Sequence, residues 1–121
     1  MMRSPIGWLN CVTALVCLCT CPDEATAQAI ARALVAERLA ACVNVLPGVQ
    51  SVYRWHGEVT RADEVVLLIK TVRDRLQALT ARLEALHPYE LPELVAVEVV
   101  GGLPAYLDWI AGQTRTGETD R

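Results

Sequence analysis

An α+β fold, a four-stranded sheet with its helices on one face, is predicted by three observations. Strand-like apolar runs and two segments of helical periodicity follow one another in the order β-α-β-β-α-β. The breaks between them carry capping and turn residues: Pro22-Asp23-Glu24, Pro47-Gly48, His56-Gly57, Pro88 and Gly101-Gly102. The chain has 121 residues, of which 53% are hydrophobic, enough for one core and too apolar for disorder.

The elements follow in order. Cys11 to Cys19, CVTALVCLC, is short, apolar and rich in small and β-branched residues, as a buried strand is. Thr20 as a hydroxyl cap, Pro22 in the first turn, and Asp23 and Glu24 near the positive end of the dipole start a helix. The pattern carries it to about Ala41, with Ala27, Ile30, Ala31, Leu34 and Val35 on one face. Cys42 to Val59 is strand-like, and Pro47-Gly48 within it reads as a bulge. His56-Gly57 is the hairpin turn. Val65 to Ile69, VVLLI, does not alternate, which predicts a central strand covered on both faces.

A second helix is expected over Asp74 to Leu86, with Leu76, Leu79, Leu83 and Leu86 as its apolar stripe. Pro88 stops it. Leu94 to Val100 is the last main strand. Leu103 to Ala111 is a short helix with Leu103, Tyr106, Leu107 and Ile110 on one side. This is the split βαβ pattern, a ferredoxin-like βαββαβ sandwich with an extra C-terminal helix. The domain covers residues 11–112. Residues 1–10 are expected to be a disordered extension and 113–121 a flexible polar tail. Trp8 to Cys19 with Ala25-Thr26-Ala27 has some features of a secretory signal. The charges at Asp23 and Glu24, and the continuous helix pattern from Asp23 onward, argue against cleavage there.

Right-handed crossovers put both long helices on one face and leave the other bare. Four five-residue strands present about 300 Å² there. If two thirds is apolar, leaving it wet forgoes about 5 kcal/mol. A domain is stable by only ~5–15 kcal/mol. The bare face therefore predicts an oligomer packed sheet to sheet.

Several functions are excluded or disfavoured. Net charge is −3 and lysine occurs once, at Lys70, which speaks against nucleic acid. No apolar run reaches the ~18 residues of a membrane span. Of five cysteines, four lie in the first 21 residues, a poor disulfide framework and a sign of a reducing compartment. No G-x-S-x-G, Walker, dinucleotide-binding or H-E-x-x-H pattern occurs, so enzyme function has no support from motifs.

The candidate site residues are few. Cys17, Cys19 and Cys21 share a face if the strand reaches them, and such spacing suits soft metals. Small thiols on a core strand are the plainer reading, since no C-x-x-C pair or histidine lies nearby in sequence. Cys19, at the strand's end, is the best single ligand. His87 ends a helix, either as a cation at the dipole's negative end or as a ligand with Glu90 and Glu93 as carboxylate partners. The topology is expected to keep His87 and Cys19 at opposite ends of the sheet, unless the loop Pro88 to Pro92 folds back or a second subunit intervenes. Tyr53, Trp55, Tyr89 and Trp109, in a chain without Phe, suit half-wet pocket or interface positions as well as ordinary packing. Glu64 and Lys70 share a strand face, as pocket charges or as solvated strand ends.

Taken together, CTCPDEATAQAIARALVAERLAACVNVLPGVQSVYRW, EVVLLIKT, HPYELPEL and YLDWI resemble the CutA family of divalent-cation tolerance proteins, from about Val12 to Ile110. LAACVN, YRW, IKT and the HPYELPE loop are its specific marks. The resemblance implies a ferredoxin-like subunit, a compact homotrimer and a cytoplasmic location. It implies copper or another divalent cation, with metal positions at Cys19 and His87, Cys42 more weakly, and Glu90 nearby. It implies an inter-subunit crevice lined by Tyr53, Trp55, Glu64, Lys70, Tyr89, Glu90 and Trp109, with Glu93 beside them. Cys21 and Met1 to Asn10 depart from the family pattern. Two other readings are a trimeric scaffold or signalling module, binding a small anion or partner peptide in the crevice, and a Cu(I) chaperone using Cys19 and Cys21 with a protein partner still to be identified.

Overall fold

A computed structural model of the protein describes residues 13–115. Cys11 and Val12, the 1–10 extension and most of the 113–121 tail lie outside the described residues. Strand β1 is Ala14–Cys21. Its odd-numbered residues, Leu15, Cys17, Cys19 and Cys21, are buried on one face. Val16, Leu18 and Thr20 are half-buried on the other.

Helix α1 is Glu24–Ala36. Its cap is Asp23, whose carboxylate accepts from the Thr26 amide at 2.8 Å. The expected cap, Thr20, instead belongs to the strand, because Cys21 still pairs with Val65 of the neighbouring strand. The helix also stops short of Ala41. Arg38 takes a left-handed φ of 60°, and the Leu39 and Ala40 amides turn back to the Leu34 carbonyl. That turn drops Leu39 and Ala40 into the core and leaves Val35 exposed.

Strands β2, Cys42–Trp55, and β3, Glu58–Val72, form one long hairpin. The register shifts between Leu46 and Val49, around the predicted bulge. His56 and Gly57 turn it with φ of 51° and 80°, as a two-residue hairpin loop of the I′ kind requires. A 3₁₀ turn, Arg73–Arg75, leads into α2, Leu76–Leu86. His87 then takes φ −84° and ψ 136°, the extended conformation that Pro88 imposes on its predecessor. Strand β4 is Val95–Glu98 and helix α3 is Pro104–Gln113.

The sheet order is β2-β3-β1-β4, with every neighbouring pair antiparallel. This is the ferredoxin-like arrangement. Ile30 and Leu34 of α1 and Leu79 and Leu83 of α2 meet Leu15, Leu67 and Ile69 of the sheet in one core. Three expectations are corrected. β3 is central, but within its VVLLI run only Val65, Leu67 and Ile69 are buried; Val66 and Leu68 face the uncovered side. In α3 only Ile110 is buried, against Ala41 and Val72, while Leu103 and Tyr106 are exposed. Finally, α2 ends beside the end of β1, not its start. Val72 pairs with Ala14 at the start of β1, so the crossover from β3 must run back along the sheet to reach β4. His87 is thereby delivered to the end where Cys19 and Cys21 lie.

Candidate metal centre and adjoining cleft

The sulfurs of Cys19 and Cys21 and a ring nitrogen of His87 all lie within 4.8 Å of one another, and all three residues are buried. Two adjacent same-face positions of β1 supply the thiols, and the α2 terminus supplies the imidazole. The backbone holds that imidazole in one tautomer. Its Nδ1 accepts from the Tyr89 amide at 3.2 Å, so Nε2–H donates to the Thr20 carbonyl at 2.7 Å. Thr20 stands between the two cysteines, so one strand turn carries both thiols and the anchor for the histidine.

The thiols titrate as a pair. The Cys19 thiol lies 3.7 Å from the Thr20 carbonyl, its acceptor, and its interaction with Cys21, with burial, pushes it strongly up. The same interaction pulls Cys21 down against its own burial. Such a pair loses its protons in two steps that belong to the pair rather than to either thiol. Cys17, one position back on the same face, is fully buried and pushed up to about 11 by burial alone. Its folded value lies above the ordinary 9.0, so its contribution to stability is complete below pH 9 and lost as pH rises towards 11. The loss should reach about 2–3 kcal/mol. Stability from urea unfolding at pH 8 and 11 should differ less in Cys17→Ala than in wild type, by about that amount, the rest of the alkaline loss belonging to groups such as Cys19 and Tyr89; an unchanged loss would assign it elsewhere.

Beside this cluster a cleft of about 720 Å³ opens between the outer β2–β3 hairpin and the 87–93 loop. Tyr53, Trp55, Glu64, Tyr89, Glu90 and Glu93 all line it. The Tyr89 hydroxyl donates to the nearly buried Glu64 carboxylate at 2.5 Å. Burial and that carboxylate hold the Tyr89 phenol well above its ordinary range. Its ring packs on His87 at 4.7 Å. Tyr89 is thus shared by the cluster and the cleft. Arg54 adds a cation that the sequence reading did not single out.

The remaining candidates lie elsewhere. Cys42 pairs with Lys70, which pairs with Val16, three residues before Cys19. Lys70 donates to Asn44. Trp109 stacks on Tyr106 at the same far end of the chain, where Tyr106 also meets Cys42. Glu90 faces the cleft rather than the thiols. Within one chain, then, Cys19 and His87 are brought together and Cys42, Lys70 and Trp109 are not. Cys21, weighed in the sequence with Cys17 and Cys19 but left out of the implied metal positions, joins Cys19 and His87. Its signal was the unbroken C-x-C-x-C period, which continues because the strand runs to Cys21.

The sequence model described as CutA1 divalent ion tolerance protein matches residues 15–113. The chain belongs to the CutA1 family. The divalent-cation tolerance protein CutA of Thermus thermophilus is 50% identical over 99 residues, spanning 82% of this chain and 96% of that protein. The crystal structure of CutA from Xylella fastidiosa matches at a TM-score of 0.82 and 50% identity, over 84% of this chain and 98% of that one. A structure from Nostoc, called a PII-like protein CutA in apo form, matches at 0.78 and 41% identity, over 84% and 97%. Names among CutA1 relatives extend to a chloroplastic form from Arabidopsis thaliana and a periplasmic one from Archaeoglobus fulgidus. No helix among the described residues of this CutA1-family chain is long and apolar enough to cross a membrane.

Proposed function

We propose that this protein is a cytoplasmic, non-catalytic divalent-cation tolerance protein that binds copper or another divalent ion as a homotrimer. The observation that carries the reading is the convergence of Cys19 and His87 in a buried cluster with Cys21. Nitrogen and sulfur donors suit copper and zinc rather than magnesium or calcium, which take oxygen. The second interaction of the histidine fits as well: a ligating imidazole usually donates its other N–H to a carbonyl, as Nε2 does to Thr20. The buried free thiols support a reducing compartment. The half-buried open sheet face supports the assembly.

Calorimetric titration of the reduced protein with Cu(I), Cu(II) and Zn(II), with mass read by light scattering, tests this. Saturable binding per chain is expected. His87→Ala should lose more than the roughly 10–100-fold that removal of an outer partner costs, at unchanged mass. A variant that changes assembly rather than binding would make the loop structural.

One observation favours a second reading. The cleft places Arg54 among Tyr53, Trp55 and Tyr89, with Glu64, Glu90 and Glu93 around them, a setting for a partner's peptide more than for a bare anion. A stable trimer with no ion bound above background would move the function there, to a scaffold or signalling module.

A further inference from the structure

We infer that Cys19, Cys21 and His87 form a closed, three-donor S₂N site for a soft monovalent ion, Cu(I), with Cys21 as a true ligand. The inference rests on the metal-binding reading above and commits it to copper in the reduced, monovalent state. Three features of the site carry it: the number of donors, their softness and their enclosure.

The donor atoms lie within 4.8 Å of one another, and Cys19 and Cys21 are fully buried. In a trigonal site with bonds of about 2.2 Å the donors stand about 3.8 Å apart, so contraction by at most about 1 Å completes it. Side-chain rotation supplies that. Among the described residues no fourth His, Cys, Asp or Glu joins the group. Zinc in closed structural sites takes four protein ligands in a tetrahedron, and this site offers three. Two thiolates are the donors that select Cu(I). Cu(I) is also satisfied by two or three soft ligands, which matches a buried site of three donors.

The hydrogen bonds of the histidine leave Nδ1 the freer of its two nitrogens. Nε2–H is committed to the Thr20 carbonyl at 2.7 Å, while Nδ1 holds only the Tyr89 amide at the longer 3.2 Å. Ligation through Nδ1 leaves the Thr20 contact intact and frees the Tyr89 amide. Since the Tyr89 hydroxyl is held by Glu64 at the cleft, loading is expected to be felt there.

The test is anaerobic Cu(I) titration of the full chain against a chromophoric Cu(I) chelator, with X-ray absorption of the loaded wild type. One Cu(I) per chain is expected, with two sulfur and one nitrogen scatterers. Cys21→Ala should bind at least about tenfold more weakly, and Cys17→Ala as wild type does, since Cys17 lies outside the group. The absorption measurement needs no variant, so a misfolded Cys21→Ala leaves the test intact. A single sulfur scatterer, or Cu(I) held equally well by folded Cys21→Ala, overturns the role of Cys21 while leaving Cys19 and His87 in place. A wild-type protein that binds neither Cu(I) nor any divalent ion overturns the metal reading itself.

Discussion

Leu67→Ala is expected to destabilise the protein by about 2–5 kcal/mol. Leu67 is fully buried at the centre of β3, paired with Cys19 on one side and Val45 on the other. Its side chain faces the layer in which Ile30, Leu34, Leu79 and Leu83 pack. Truncation removes the transfer gain of the buried carbons and leaves a cavity that neighbours from two helices and two strands cannot all close. At about 4–8 °C per kcal/mol for a domain of this size, the melting midpoint should fall by roughly 8–40 °C. Val59→Ala, at a position 70% exposed near the hairpin turn, is the control and should shift the midpoint little. Thermal melts of the two variants settle the matter. A Leu67→Ala protein within 1 °C of wild type would mean that β3 is not the centre of the core.

Leu68→Arg is expected to convert the proposed trimer to folded monomer. Leu68 is one residue along from Leu67 and points the other way, between Leu18 and Asn44 on the open face. Val95 and Val97, in register with Leu18 and Val16, leave half of their surface exposed on that same face. About 5 kcal/mol per chain rests on covering such an area. An arginine in the contact is an unpaired charge out of water and opposes burial directly, whereas on a solvated sheet face it is harmless. Light scattering should give the mass of one chain with an unchanged circular dichroism spectrum. Retention of the wild-type mass would place the assembly contacts away from this face.

Comparing neighbouring residues shows what was legible in the sequence. The turn at His56-Gly57 and the end of α2 before Pro88 follow from backbone sterics local to one or two residues, so both could be read directly. The end of α1 could not. The helical pattern continues through Leu39, but the chain must bring Leu39 and Ala40 under the sheet, and Arg38 accepts a left-handed conformation to do so. The sequence pointed to Thr20 as the cap of α1, and Asp23 holds that position. Pairing of Cys21 with Val65 decided between them, and that contact is distant in sequence.

The candidate site divides the same way. Strand periodicity determined that Cys17, Cys19 and Cys21 share a face, and residue chemistry made Cys19 and His87 candidate ligands. The sheet was also determined by the sequence, because apolar period and turn chemistry are local properties that act wherever the chain goes. Tertiary structure alone decided that His87 reaches Cys19 and Cys21, through the return of the β3–β4 crossover to the end where β1 finishes. It also decided that Tyr89 joins the cluster to the cleft, and that Cys42, Lys70 and Trp109 stand apart. The physical reason is distance along the chain. Cys19 and His87 are brought together by strand pairing and helix packing, and no pattern within either segment encodes the direction from which the other arrives.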